Sequence, residues 1–403
     1  MNILFVSGHP AQVHNFRNVR AELIKHGHQV FWLTTPKDIA TNLLDVYQIP
    51  YRVLWKPKKN IISKAWVLLV NVLFVWRFLC KNKIDIAITR TCPYTTIAAK
   101  LRGVKHIILD DTEHAGRKLK AFSKQVDSVV VPQCYSFQLR QDELRYPGNT
   151  EIFYLHPNRF TPSPVWDLIG MKPGTRFAIV RFVKWDAWHD TQLVGGFTLD
   201  QKRELIKRLS KHLRVLISSE SELPADLEPY RIHIPIERMH EVQAAAALFV
   251  GESATMASES VVLGTPAIYI DEVGRGYTDE EARHSLLWMF RPVPNRSHLT
   301  IAPPPSNALA CSPTSFNSPI NVPLGEQVKS EPWWISGGVE ECIAKAEEIA
   351  DPSFDSSAYA KRHETWMATK IDCTKFLVYF IEQYPKTVEE VRGAEKNFWE
   401  RFK

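Results

Sequence analysis

The sequence lacks the features that mark several classes of protein. Its six cysteines show no paired spacing, which argues against a disulfide framework and against a zinc site. The net charge is only +6, from 50 basic and 44 acidic residues, so we expect no nucleic acid partner. The first residues carry neither the basic region nor the cleavage site of a secretory signal. These absences predict a cytoplasmic protein with reduced thiols.

The composition and the hydrophobic pattern predict an α/β protein. The 403 residues suffice for two domains, with 45% hydrophobic and 23% charged residues as in soluble globular chains. Short apolar runs alternate with segments of helical spacing, which predicts parallel sheets with helices on both faces. We expect two doubly wound, Rossmann-like domains that face each other across a cleft. The predicted strands are residues 3–6, 29–34, 84–89, 106–109, 128–131, 177–181, 215–218, 248–251 and 267–270.

Proline-rich stretches mark the expected boundaries. Four prolines without a clear period lie between residues 157 and 173, so we predict a first domain of residues 1–165 and a second of residues 166–350. Within the second domain, residues 291–332 contain nine prolines and few charges, which predicts an irregular insertion. C-terminal helices are expected over residues 351–403. The helical patterns near the end cover residues 339–350, 359–384 and 388–402.

Residues 251–266 form the most informative motif of the chain. Strands are predicted on both sides, so the motif indicates a small-residue turn, a short helix and a tight Gly-Thr-Pro turn. Such a turn directs backbone N–H groups to a point where a phosphate can bind, and Glu259 lies where a carboxylate can hold a ribose diol. The alternative is an ordinary βαβ unit with a capped helix. The predicted nucleotide-binding residues are Gly251, Glu252, Ser253, Ala254, Thr255, Met256 and Glu259.

This motif resembles the donor-nucleotide motif of GT-B glycosyltransferases. The likeness extends to the lipid-linked N-acetylglucosaminyltransferases of peptidoglycan synthesis and, more distantly, to the UDP-N-acetylglucosamine 2-epimerases. It implies that Glu259 is the ribose ligand and that residues 253–255 lie at the diphosphate. It also implies a nucleotide-sugar substrate with UDP favoured, no essential metal and no other cofactor, and last helices that cross back to the first domain.

A closer resemblance is to a largely archaeal family of predicted glycosyltransferases, domain of unknown function 354. The likeness implies the same fold and class of reaction and leaves the substrate open. It covers residues 1–35, 106–115, 176–290 and 370–385, and its shared blocks are 181–190, 217–220 and 251–266.

The first predicted strand runs into a turn that contains Gly8 and His9, and a helix follows. This layout resembles the amino-terminal block of inverting GT-B enzymes, in which a histidine near the start of the first helix is the general base. The corresponding residue is His14, with His9 as the alternative, and imidazole suits this role because its pKa lies near the working pH. Gly8 and His9 are also candidates for the donor phosphates. Alternatively, His14 only caps or packs the start of the helix.

Two further clusters follow predicted strands. Residues 110–114 contain Asp111 and Glu113, which could orient His14 or bind the acceptor hydroxyls; the alternative is a helix N-terminus capped by an aspartate. Residues 181–190 contain two tryptophans among charged side chains, and the alternative there is a tryptophan wedged between domains. The donor-site candidates are Arg181 and Lys184 at the diphosphate, His189 and Asp190 at the sugar hydroxyls, and Asp186 and Ser219 beside them.

Residues 56–83 combine apolar and basic character. Seven basic residues, two tryptophans and no acid occur in this segment, and its apolar part, residues 65–80, is shorter than the ~20 residues that span a bilayer. One interpretation is an interfacial helix on anionic lipid at the inner face of the cell membrane, with a lipid-linked glycan as acceptor. The other is a helix packed in the first domain, and the two interpretations are compatible.

The leading functional hypothesis is an inverting glycosyltransferase that uses a nucleotide-sugar donor. A 2-epimerase is the runner-up. It ranks below the transferase because epimerases carry Gly-Thr-Arg-Pro-Glu after strand one and Thr-Glu-Arg-Pro-Glu after the nucleotide motif. Residues 7–11 here are Ser-Gly-His-Pro-Ala and residues 276–280 are Gly-Tyr-Thr-Asp-Glu, so the arginine and its acidic partner are missing. A non-catalytic nucleotide-sugar-binding protein is the third hypothesis.

Overall fold

The computed structural model divides into two compact units. It describes residues 1–36, 38–56, 60–90, 92–111, 113, 116–182, 196–219, 222–271, 274–292 and 336–403. The first unit comprises the described residues of 1–160 together with 370–403, and the second comprises those of 161–369. Apart from its first two residues, the predicted insertion 291–332 lies outside the described residues.

The first unit is a parallel sheet flanked by helices. Its strands are β1 (Asn2–Ser7), β2 (Gln29–Thr34), β3 (Arg52–Val53), β4 (Ile86–Thr89), β5 (Lys105–Leu109), β6 (Ser128–Pro132) and β7 (Leu144–Tyr146). The described residues give the strand order β3-β2-β1-β4-β5-β6-β7. The helices between these strands are α1 (Pro10–Lys25), α2 (Asp38–Val46), α3 (Ile61–Lys81), α4 (Pro93–Arg102), α5 (Gly116–Ser123) and α6 (Ile152–Leu155).

The second unit repeats this plan on a smaller sheet. Its strands are β8 (Phe177–Arg181), β9 (Arg214–Ser218), β10 (Leu248–Gly251), β11 (Ala267–Ile270) and β12 (Leu287–Phe290). The described strands lie in the order β12-β11-β10-β8-β9, all parallel. The helices are α7 (Leu199–Leu209), α8 (Met239–Ala245), α9 (Ala254–Val262), α10 (Gly276–Arg283), α11 (Val339–Ala350) and α12 (Ser356–Met367). The predicted α/β class with two doubly wound parallel sheets is therefore confirmed.

Both sheets reverse their winding beside their first strand. In the first unit, β1 pairs with β2 on one side and with β4 on the other. In the second unit, β8 pairs with β9 on one side and with β10 on the other. In open α/β sheets, ligands bind outside the carboxyl ends of the strands at such a switch point. We therefore expect a site at the ends of β8 and β10 or at the ends of β1 and β4.

The last helices return to the first unit, as predicted. These are α13 (Cys373–Glu382), α14 (Lys386–Arg392) and α15 (Lys396–Glu400). The side chain of Asp372 caps α13 and also accepts a hydrogen bond of 2.7 Å from Nε of Arg159. At the other end of α13, Glu382 contacts a ring nitrogen of His26 at 2.8 Å and one of His28 at 2.9 Å.

Two helices predicted from the sequence are wrong in their extent. The pattern over residues 359–384 belongs to two helices, α12 and α13, and the one over residues 388–402 belongs to α14 and α15. In the first case, α12 ends at Met367 and α13 begins at Cys373, because Asp372 has non-helical backbone angles and acts as the N-cap of α13. In the second case, α14 ends at a C-cap glycine, Gly393. Helical periodicity alone did not reveal either interruption.

A buried histidine in β5 makes the stability of the first unit depend on pH. His106 is 2% exposed, and burial lowers its pKa from 6.5 to about 4. Between these values the unfolded chain binds a proton that the folded chain excludes, so stability is full above pH 6.5 and falls as the pH drops toward 4. The loss amounts to about 3 kcal/mol.

We expect His106→Gln to remove this part of the pH dependence. Glutamine can keep a hydrogen bond to Oγ1 of Thr89, which lies 2.9 Å from the imidazole Nε2. Urea unfolding at about pH 7.5 and about pH 4.5 measures the effect, and the variant should lose less stability than the wild type. His233→Gln, at an exposed position, is the matched control and should behave as the wild type. An equal loss in all three proteins would contradict the assignment.

Candidate nucleotide site and candidate catalytic residues

The ends of β8 and β10 approach each other closely in the second unit. Gly251 pairs with Arg181, and a Cβ on Gly251 would lie 2.6 Å from the backbone oxygen of Arg181. Position 251 therefore accepts only glycine without displacement of β8. Arg181 also donates a hydrogen bond from Nη1 to Oγ of Ser218, at 3.1 Å, so a cation lies at the ends of three adjacent strands.

Gly251→Ala is expected to destabilise the second unit by about 1–3 kcal/mol, the usual cost of overpacking. The methyl group must displace backbone atoms of the paired strand, which cannot rotate away as a side chain can. Gly393→Ala is the control, because its Cβ would lie 3.6 Å from the nearest atom, an ordinary contact. Urea unfolding should show a lower midpoint for Gly251→Ala only. Equal stability of the two variants would contradict the prediction and show that β8 shifts to accommodate the methyl group at little cost.

The turn after β10 begins α9 with a side-chain cap. Ser253 accepts a hydrogen bond from the backbone N–H of Met256, at 3.4 Å, and Ala254 is the first helical residue. Thr255 and Met256 are partly exposed, whereas Ala254 is buried. The first N–H groups of a helix carry partial positive charge and can receive a phosphate. The predicted strand, turn and helix are thus present, at the switch point of the sheet.

Glu252 has a contact that the sequence did not predict. Its Oε1 accepts a hydrogen bond of 2.9 Å from the backbone N–H of Phe197. The neighbouring Gly196 has a φ of +117°, and a Cβ there would lie 2.4 Å from the same carboxylate oxygen. Glu252 therefore fastens residues 196–197 to the end of β10.

Glu259 is buried in α9 and paired with a histidine. Its Oε1 lies 3.0 Å from Nε2 of His240, and both side chains are at most 6% exposed. His240 lies in the first turn of α8, where it reaches α9. The pairing fixes the position of the carboxylate.

Further buried hydrogen bonds fix α9 in place. Gln243 of α8 donates from Nε2 to the backbone oxygen of Met256 at 2.9 Å and to Oγ of Ser260 at 3.1 Å. On another side of α9, Ser258 donates to the buried carboxylate of Glu281 in α10. These hydrogen bonds join α9 to both of its neighbouring helices, α8 and α10. The helix that carries Glu259 is therefore firmly positioned.

The remaining donor-site candidates are only partly described. The backbone oxygen of Ser219, just after β9, accepts a hydrogen bond of 3.3 Å from Arg231. Its position beside the end of β9 agrees with the predicted rim of the sheet. The other predicted residues, Lys184, Asp186, His189 and Asp190, lie outside the described residues.

In the first unit, the turn after β1 leads into α1 through a capped end. His9 is exposed and accepts a hydrogen bond at Nδ1 from the backbone N–H of Ala11, at 3.3 Å. The backbone N–H of Gly8 donates to Oε1 of Gln12 at 2.6 Å. The capping role considered for His14 thus belongs to His9.

His14 packs inside the first unit. Only 6% of it is exposed, and its ring lies 5.2 Å from that of Tyr154 and 5.9 Å from that of Tyr47, between centroids. The hydroxyl of Tyr47 is 3.4 Å from Nδ1 of His14. The two tyrosines hold the imidazole in one orientation, which both a general base and a packed histidine require.

The two aspartates after β5 are paired with an arginine. Asp110 and Asp111 both form ion pairs with Arg90, which follows β4, and the hydroxyl of Thr150 donates to Asp111. Glu113 lies in a short 3₁₀ turn before α5, so the alternative of an aspartate at a helix N-terminus stays a prediction. The sequence analysis missed Arg90 and Thr150. The signal for Arg90 was its position directly after the predicted strand 84–89, because ligands bind at the carboxyl ends of strands.

Glu113 contacts a different part of the first unit. Its Oε1 accepts hydrogen bonds from the backbone N–H and the hydroxyl of Ser136, at 3.2 and 3.3 Å. A role of Asp111 or Glu113 in catalysis stays a prediction. Among the described residues, no group of three or more histidine, cysteine, aspartate or glutamate side chains is placed to hold a metal ion.

Comparison with solved structures identifies the fold as GT-B. The S. aureus protein MnaA, in a co-structure with UDP, matches with a TM-score of 0.60 at 10% identity, over 96% of this chain and 97% of that one. The UDP-GlcNAc 2-epimerase of Neisseria meningitidis bound to UDP-GlcNAc matches with a TM-score of 0.60 at 13% identity, over 95% and 100%. The glycotransferase of kitacinnamycin matches with a TM-score of 0.54 at 12% identity, over 95% and 98%.

At these identities the likeness shows the fold alone. No family model matches the chain, and no curated protein sequence does. The resemblance to the archaeal family therefore stays a prediction, whereas the two-domain GT-B architecture is confirmed.

Proposed function

We propose that the protein is a glycosyltransferase that takes a sugar from a nucleotide-sugar donor, with a UDP-sugar as the first candidate. The observation that carries the proposal is the β10–α9 turn, in which an obligatory glycine, a serine cap and partly exposed residues of a helix N-terminus lie at the switch point of the sheet. UDP and UDP-GlcNAc are the ligands named for two solved structures of this fold.

Each described residue of the turn has a specific part in this proposal. The diphosphate binds the backbone N–H groups at the start of α9, residues 253–255, and Arg181 contributes positive charge. The carboxylate of Glu259 accepts hydrogen bonds from the ribose diol. His240 positions that carboxylate through the 3.0 Å contact. Glu252 acts indirectly, because it holds residues 196–197 against the end of β10.

The transfer step needs a base and no cofactor. In a single displacement, the acceptor oxygen attacks the anomeric carbon as the bond from that carbon to the diphosphate breaks. The acceptor hydroxyl gives its proton to the base, and the nucleoside diphosphate leaves with the bonding electron pair. His14 is the proposed base, because its imidazole is held by Tyr47 and Tyr154 in the second turn of α1, the helix that follows the end of β1.

A sugar-nucleotide 2-epimerase is the second candidate. The observation in its favour is the fold likeness to such enzymes over 95% or more of the chain. Against it stand residues 7–11 and 276–280, which lack the arginine of the epimerase pattern in both blocks.

The two candidates differ in their products from UDP-GlcNAc. A thermal-shift panel of nucleotides and nucleotide-sugars first selects the donor, because a ligand of the folded state raises the unfolding temperature. Incubation with the selected donor should then release UDP, slowly to water and faster once an acceptor is found. Formation of the C2 epimer without release of UDP would replace the proposal by an epimerase. Binding without either product would indicate a sensor.

A further inference from the structure

Helix α3 of the first unit exposes a continuous apolar stripe. Five large apolar side chains recur at helical spacing over four turns and point away from the sheet. Their exposed fractions are 79%, 65%, 52%, 52% and 40% for Ile62, Trp66, Leu69, Leu73 and Trp76. The helix has 21 residues, longer than the sixteen-residue segment expected from the sequence. Among the described residues it is the one helix long and apolar enough to cross a membrane.

The opposite face of α3 belongs to the core of the first unit. Val75 is fully buried and Leu79 is 1% exposed, and both pack under the sheet. Asn71, 1% exposed, exchanges two hydrogen bonds of 3.0 Å with the backbone of Trp55. A helix fixed in this way along one side cannot span a bilayer alone. A second apolar face on a packed helix indicates a second apolar partner. The helix would lie with its axis parallel to the surface of that partner.

The charges around α3 identify that partner. Lys56, Lys64, Arg77, Lys81 and Lys83 are all exposed. No acidic residue occurs from position 56 to position 84. An apolar stripe with tryptophans, bordered by cations, is the composition that binds the interface of an anionic lipid bilayer.

A groove beside the C-terminal half of α3 has the same character. Its volume is about 870 Å³, and its walls include the aromatic rings of Phe31, Phe74 and Phe78. Three exposed cations, Arg52, Arg77 and Lys81, also line it. This volume lies within the range of small-molecule sites. The apolar wall and the cationic rim suit one lipid, whose acyl chain would lie inside the groove and whose phosphate would bind the cations at the rim.

We propose that α3 docks the protein on an anionic membrane surface, with its apolar stripe in the interface and one anionic lipid in the adjacent groove. The inference rests on α3 and the groove alone and does not depend on the proposed sugar transfer. It would bring a lipid-linked acceptor to the protein if that function holds.

Vesicle co-sedimentation tests the proposal. The full chain should pellet with vesicles of phosphatidylcholine mixed with phosphatidylserine at low salt. It should remain largely in solution with phosphatidylcholine alone, and also at about 1 M salt, where the Debye length is ~3 Å. No pelleting with the anionic vesicles at low salt would overturn the proposal.

Two variants separate the apolar and the charged contributions. Trp66→Gln/Leu69→Gln/Leu73→Gln changes only exposed positions, so the fold should persist while the partition coefficient falls at least about tenfold. Lys64→Gln/Arg77→Gln/Lys81→Gln should lower it by at least about tenfold at low salt, since each basic residue near the surface contributes about fivefold.

Matched variants elsewhere control for general changes in hydrophobicity and charge. The apolar control is Ile24→Gln/Ile39→Gln/Val46→Gln, at exposed positions of α1 and α2. The charge control is Lys124→Gln/Lys207→Gln/Lys361→Gln, also exposed. Both should bind vesicles as the wild type does, and all four variants should keep its unfolding temperature.

Two outcomes would overturn the proposal. Equal loss of binding in the controls would reduce the effect to net charge or overall hydrophobicity. Concentration-dependent dimerisation that the α3 apolar variant abolishes, together with no binding to vesicles, would identify a second copy of the chain as the occupant of the stripe. Sedimentation velocity without lipid distinguishes the latter case.

Discussion

His14→Ala is expected to lower the rate of sugar transfer by ~10²–10⁴-fold, the usual contribution of a general base, while donor affinity stays the same. The imidazole is held between Tyr47 and Tyr154, so its loss also leaves a space in the first unit. His14→Phe is therefore the more informative variant, because it keeps the ring packing and removes the basic nitrogen. UDP release from the selected donor, with titration calorimetry of UDP, measures the two effects separately.

Two controls show whether the effect belongs to His14. His9→Ala removes the helix cap and should cost about 0.5–2 kcal/mol of stability but little turnover. Tyr47→Phe removes the hydroxyl 3.4 Å from Nδ1 and should lower turnover less than His14→Phe does. Normal turnover in both His14 variants would mean that His14 is a packed histidine. The base would then be sought at His9 or Asp111.

Glu259→Ala is expected to weaken UDP binding by ~1.5–3 kcal/mol, about ten- to a hundredfold, because the ribose diol loses a charged hydrogen-bond acceptor. The carboxylate is buried beside His240, so the variant also unpairs a histidine inside the second unit. Glu259→Gln keeps the shape and should give the smaller loss. Calorimetry with UDP and with inorganic diphosphate separates the ribose contact from the phosphate contact, and only UDP should be affected.

Ser258→Ala is the matched control for Glu259. It lies one residue earlier in α9, is equally buried, and removes a hydrogen bond to Glu281 of α10. If loosening of α9 explains the loss, Ser258→Ala will weaken UDP binding as much as Glu259→Ala does. If the ribose contact explains it, Ser258→Ala will lower thermal stability and leave UDP affinity unchanged. Unchanged affinity in both variants would remove Glu259 from the site.

The sequence predicted every strand inside the two sheets and one edge strand, β9. Buried parallel strands are continuous apolar runs, and each of the nine runs coincides with a strand, although the run 84–89 begins two residues before β4. The three described strands that were missed, β3, β7 and β12, are at sheet edges. β3 and β7 have only two and three residues, too few for an apolar run, whereas β12 is the apolar run Leu287–Phe290, which the sequence analysis overlooked.

The candidate site divides in the same way between local and distant features. The turn from Gly251 to the capped start of α9 was predicted because all its parts are adjacent in the sequence. The pairs of Asp111 with Arg90 and of Glu259 with His240 were not, because each joins two elements that only the sheet topology brings together. No single-sequence pattern specifies such a pair.

The first unit is made of two separate stretches of chain, with the second unit between them. A ribosome makes β1 to α6 long before it makes α13, whose Asp372 pairs with Arg159 and whose Phe376 stacks on Tyr146. Until α13 is made, the nascent first unit exposes the surface that contains Arg159 and Tyr146. Residues 161–369 can meanwhile complete their own sheet. Domains fold as they emerge, so we expect the later-made unit to be finished first. Chains interrupted before residue 370 should be the ones that engage chaperones.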